Sequence, residues 1–119
     1  MTTNIDFKKG ILFIRIKGSL NQKNKNYFES EVIPVILGLQ ARCITLNLYE
    51  LSEVDEKGVS SFIKLSNIAN KWGGKVAICE INKSIKNFIN KTDIFDYCFK
   101  TKNELTALGA FKWTIMLIY

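Results

Sequence analysis

At 119 residues the chain has room for one hydrophobic core and not for two. Its 47% hydrophobic and 24% charged side chains, with a single Pro, belong to a folded domain and not to a linker or a disordered tail. His is absent and the three Cys have no C-x-x-C spacing, which disfavours a zinc site and a Ser-His or Cys-His nucleophile, so neither metal nor cofactor is expected.

The formal charge of +6 is unevenly spread: residues 1–60 carry 8 basic and 7 acidic side chains, and residues 61–119 carry 9 and 4. Only two of the 17 basic residues are Arg, the better bidentate reader of phosphate and guanine, so a solvated Lys-rich surface is expected and nucleic acid is not. Cys43, Cys79 and Cys98 each lie in or beside an apolar run and read as reduced core residues. The opening Met1 to Asp6 is short and polar and leads straight into a strand pattern, so a cytoplasmic location without a transmembrane segment is the expectation.

Ile5 to Phe7 and Ile11 to Ile16 are strand-like, and Lys8-Lys9-Gly10 between them supplies the Gly of a tight hairpin. Gly18 to Asn21 ends the pair. From Asn24 to Leu39, Phe28, Val32, Val35, Ile36 and Leu39 recur at helical spacing, with Pro34 predicting a kink near Ile33 or two abutting helices and Gly38 placed to cap the end. Cys43 to Leu48 reads as a strand buried on both faces.

Gly58 to Trp72 reads as a helix with Val59, Phe62, Leu65 and Ala69 inward, and Gly73-Gly74 stops it. Lys75 to Cys79 is a buried strand, Lys83 to Asn90 a helix, Phe95 to Phe99 a strand, and a last helix starts near Lys102. The order β-β-α-β-α-β-α-β-α predicts an α/β fold: a mostly parallel sheet of four to five strands, an antiparallel hairpin at its start and about four helices.

The stretch from Ile44 to Val59 carries the candidate site: a strand, a polar loop holding Glu53, Asp55 and Glu56, then Lys57 and Gly58 at the mouth of a helix. Open α/β sheets place functional groups at the carboxyl ends of their strands, so this loop is the expected contact surface. Asp55 fits a helix N-cap, a role compatible with a partner contact, and Gly58 fits a steric need where the loop enters the helix. Lys57, Lys64 and Lys71, seven apart, form one helical stripe. They are either a solvated face or, with Ser61 and an exposed Ile68, an apolar anchor ringed by cations that suits an acidic protein partner. No nucleophile, ligand set or phosphate cradle surrounds these residues, so no enzyme is expected.

The run from Leu46 to Val59 resembles the strand-loop-helix signature of the STAS domain of bacterial anti-sigma factor antagonists, L-N-L-x-x-L-x-x-[ML]-D-S-S-G-[LV]. Gly18-Ser19-Leu20-Asn21 is similar to that family's G-x-L-D, Gly73 to Ile78 to its G-G-x-[LV]-x-[LV], and Lys91 to Phe95 to its x-T-G-L-x. The resemblance spans residues 5–108 and assigns 1–110 to the domain, leaving 111–119 as an apolar extension. That extension is about half the length a bilayer span needs, and it reads as a packed terminal strand, a homodimer contact or an interfacial anchor.

In the family, the second Ser of D-S-S-G is phosphorylated by a partner that is at once a serine kinase and an anti-sigma factor. Here Glu56 and Lys57 stand at the two Ser positions, with Asp55 and Gly58 retained, and Asn21 replaces the family's Asp. A phosphoserine would bring about −1.5 to −2 charge to the helix start, whereas Lys57 brings a positive charge and cannot be phosphorylated by ordinary serine-kinase chemistry. The resemblance implies a non-catalytic regulator that binds an anti-sigma factor or serine-kinase-like protein through Asn21, Asp55, Glu56, Lys57 and Gly58, without the usual switch, and the helical stripe adds Ser61, Lys64, Ile68 and Lys71 to the expected contact surface. A structural STAS subunit of a larger assembly, such as a lipid-transport complex or a stress-signalling scaffold, is the alternative.

Overall fold

The computed structural model describes residues 1–112. The elements are β1 (Thr2–Lys8), β2 (Ile11–Leu20), α1 (Lys25–Leu39), β3 (Cys43–Asn47), β4 (Leu51–Val54), α2 (Glu56–Asn70), β5 (Lys75–Cys79), α3 (Lys83–Asn90), a 3-10 turn (Ile94–Asp96), β6 (Phe99–Thr101) and α4 (Glu104–Ala110). The hairpin forms where Gly10 marked it: Lys9 (φ 54°) and Gly10 (φ 80°) both take positive φ, the geometry of the two-residue turns that match strand twist.

β1 pairs antiparallel with β2, and every other pairing is parallel, giving a sheet in the order β1-β2-β3-β5-β6. β4 pairs with Gly18 to Leu20, the end of β2 that β3 has already left, across an irregularity between Gly18 and Ser19. This sixth strand corrects the reading of residues 51–54 as loop. Its apolar residues are Leu51 and Val54, so neither face shows an alternating pattern, and the pairing is set by tertiary contact.

Helices sit on both faces, which is why the strands are nearly continuous in apolar residues. On one face Leu12, Ile14, Ile16, Ile44, Leu46, Val76 and Ile78 form the main core with Phe28 and Val32 of α1 and Phe62, Leu65 and Ala69 of α2. On the other, Ile11, Phe13, Cys43 and Ala77 pack under Ala107 of α4 and Phe111. A polar clasp holds α4 near the carboxyl ends of the strands: Arg15 donates to both oxygens of Glu104 at 2.8 and 2.7 Å, and the Asn47 amide donates to Glu104 and Glu80.

Three further expectations differ from the fold. α1 runs through Pro34 as one element and ends on Gln40 in the left-handed region (φ 49°), so Gly38 is not its cap. α2 starts at Glu56 and stops at Asn70, leaving Trp72 half-buried in the turn beyond. The aromatic alternation of Phe95, Tyr97 and Phe99 mimics a strand, but Ile94–Asp96 closes a 3-10 turn and β6 begins only at Phe99. Of the apolar extension 111–119, Phe111 is buried in the second core cluster, and residues 113–119 lie outside those described.

Candidate functional site

The loop between β4 and α2 is built around Asp55. Its backbone is extended (φ −110°, ψ −176°), as an N-cap requires, and Oδ1 accepts from the Gly58 amide at 2.9 Å. Oδ2 accepts from the Gln22 amide at 3.0 Å, so one carboxylate ties the start of α2 to the loop between β2 and α1. The Asp55 amide in turn donates to the Leu20 carbonyl. Burial alone would raise the Asp55 pKa, but amide hydrogen bonds from Gly58, Gln22 and Lys57 outweigh it and hold it below the usual carboxylate value.

Gly58 serves close approach. It is buried, and a Cβ there would lie 2.8 Å from the Leu20 carbonyl oxygen and 2.7 Å from Val54 Cγ2. Asn21 shapes the neighbouring loop: its Oδ1 accepts from the Lys23 amide and its own amide donates to Asn24 Oδ1. Glu53, Glu56 and Lys57 are exposed around this frame, and among the described residues Lys57 enters no ion pair.

The stripe along α2 departs from expectation at four residues. Ser61 does not join the exposed face: it is fully buried and donates to Glu29 Oε2 of α1 at 2.6 Å. Ile68 is half-buried against the core and offers less of an anchor than an exposed side chain would. Lys64 is exposed but engaged, with Nζ 2.8 Å from Glu29 Oε1. Lys71 follows the last turn of a 15-residue helix, about 21 Å along its axis from Lys57, so the two cations stand at opposite ends of the sheet. The structure thus brings Asn21, Asp55, Glu56, Lys57 and Gly58 together and sets the rest of the stripe apart.

Glu29, which sequence spacing did not single out, bridges α1 and α2. It is buried, and it accepts from Ser61 and Lys64 with Lys25 Nζ 3.6 Å away. Burial would raise its pKa, yet the hydrogen bonds of Lys64 and Ser61 and the charges of Lys64 and Lys25 bring it below the ordinary value. The i,i+4 spacing of Lys25 and Glu29 was the available signal, and Ser61 shares its helical row with buried Gly58 and Leu65. Among the described residues no three His, Cys, Asp or Glu side chains stand together as a metal site, and no helix is long and apolar enough to cross a membrane.

A mostly parallel α/β sheet opened by an antiparallel hairpin, with helices on both faces and a capped loop at the carboxyl end of its strands, is the architecture of a STAS-type domain. The STAS domain family model matches residues 2–107, and the chain belongs to that family. An anti-sigma F factor antagonist from Paenibacillus polymyxa is 23% identical over 104 residues, covering 87% of this chain and 89% of that protein. Among solved structures, a Ser-to-Glu variant of RsbS from Moorella thermoacetica superposes with a TM-score of 0.77 at 18% identity, covering 98% of this chain and 99% of the other. SpoIIAA, a Bacillus cell fate determinant in its phosphorylated form, gives 0.69 at 14% identity over 92% and 98%.

Proposed function

We propose that this STAS domain is a non-catalytic regulator of the anti-sigma factor antagonist type, binding a protein partner through the β4 to α2 loop, the Asn21-Gln22 turn and the first turns of α2. The observation that carries this reading is the double acceptance at Asp55, which locks two separate loops into one rigid surface with Glu53, Glu56 and Lys57 on its rim. A rigid turn binds with little ordering cost, and rim charges of both signs select the partner. Membership of the family and the Paenibacillus polymyxa relative support a partner of anti-sigma factor or serine-kinase kind, met in the cytoplasm.

Lys57 keeps the surface in one charge state, so the complex is governed by partner abundance and nucleotide state and not by a phosphate on this chain. The test is incubation with an ATP-binding anti-sigma partner of the source cell and Mg-ATP, followed by mass spectrometry and gel filtration. A stable complex with no phosphate on residues 52–61 is expected. Phosphate on Ser52, Ser60 or Ser61 accompanied by dissociation would reject the proposal.

A further inference from the structure

The two ends of the sheet carry different charge. At the carboxyl ends of the parallel strands charges of both signs mix: Glu50, Glu53, Asp55, Glu56, Glu80 and Glu104 stand there with Lys17, Lys57, Lys83 and Lys102. The amino ends are basic. The registers Ile11 with Cys43 and Cys43 with Lys75 align the starts of β2, β3 and β5, so Lys9, Arg42 and Lys75 emerge at one edge. The Lys75 amide donates to the Arg42 carbonyl at 2.8 Å, and Gly74 packs on the Arg42 backbone, a contact a Cβ would prevent.

Lys71 lies in the turn just before this edge, and Lys112 follows Phe111, which packs with Ile11 and Cys43 at the same edge. All five cations are exposed, and among the described residues none forms an ion pair. Two acids border this face: Asp96 lines the same cleft as Lys75, and Glu104 lines a second one with Lys8 and Lys9.

Large apolar side chains crowd this end too. Leu37 and Leu39, in the last turn of α1 that leads into Arg42, are 50% and 45% exposed, and Phe7 at the end of β1 is 45% exposed. Exposed apolar side chains among cations that form no ion pair among the described residues match the chemistry of an anionic bilayer surface, which offers negative headgroups and a shallow apolar layer together.

We infer that the amino-end face formed by Phe7, Leu37, Leu39, Lys9, Arg42, Lys71, Lys75 and Lys112 is a peripheral membrane-binding surface for anionic lipid. Docking there leaves the Asp55 loop, at the far end of α2, facing the aqueous phase, so lipid and protein partner can be held together. The inference stands independently of the partner reading.

Co-sedimentation of the full chain with vesicles of phosphatidylcholine alone, or with ~30% phosphatidylserine, tests it at low and physiological salt. Expected is binding to the anionic vesicles, weakened by salt and by Lys71→Gln with Lys75→Gln by ~25-fold, at about five-fold per cation. Leu37→Ser with Leu39→Ser is expected to weaken it even at low salt, circular dichroism confirming that each variant is folded. Equal sedimentation with neutral vesicles, or none with either, overturns the inference. So does salt-sensitive capture of a single-stranded RNA with vesicle binding absent, which assigns the cations to nucleic acid.

Discussion

Gly58 and Asp55 do different jobs within four residues. Gly58 is a matter of space: Val54 can rotate away from an added methyl, but the Leu20 carbonyl is backbone and must be pushed aside. Gly58→Ala is therefore expected to cost about 1–3 kcal/mol of unfolding free energy, read as a lower urea midpoint with unchanged slope. An unchanged midpoint would show that the approach is not tight.

Asp55, Glu29 and Glu104 all have folded pKa values below their unfolded ones. For Glu104 the hydrogen bond from Arg15 is the main cause, with burial opposing it. A depressed carboxyl adds stability in full above its unfolded value, here 3.8 for Asp and 4.5 for Glu, and loses it as pH falls through the folded value. The urea midpoint should thus hold steady from pH 7 to about 5.5 and fall below that, with a shallower fall in Glu29→Gln. A midpoint that rises on acidification would contradict the assigned hydrogen bonds.

α1 and α2 are coupled through Glu29, a relation that decides how Lys64 can be tested. Lys64→Glu would set a second carboxylate against Glu29 and weaken the helix contact, so Lys64→Gln isolates its part in binding. Ser61→Ala removes one hydrogen bond and is expected to cost about 1 kcal/mol, whereas Glu29→Ala strands a buried hydroxyl and should cost roughly 1–3 kcal/mol in denaturant melts. If Glu29→Ala is as stable as the native chain, the two helices are held by apolar packing alone.

Elements with a local signal were legible in the sequence. β5 and α3 have the limits expected, because Gly73-Gly74 and Asn82 punctuate them: Asn82 caps α3 through the Ser84 amide. β4 was not legible, since Leu51-Ser52-Glu53-Val54 has neither the length nor the alternation of a strand and owes its shape to β2. Asp55 and Gly58 could be read as cap and contact, but the Gln22 amide that completes the site comes from a loop 33 residues away in sequence. Backbone donors leave no mark in composition.

Across the whole molecule the layers on both faces of the sheet bury all three thiols. Burial pushes Cys43 up to about 11 and Cys79 and Cys98 to about 12, so a thiol-specific reagent at pH 8 should titrate none in the folded chain and three in urea. Rapid reaction of one thiol without denaturant would show that a face of the core opens.

The same layering separates a mixed-charge loop surface at one end from a basic, partly apolar surface at the other. Amide hydrogen exchange, read on the free chain and on the chain bound to a protein partner captured from the source cell, tests this division most directly. Slowed exchange at residues 21–24 and 53–60, with 38–43 and 71–75 unchanged, is the expected footprint. Slowing confined to 38–43 and 71–75 would place the partner at the wrong end and contradict docking through the Asp55 loop.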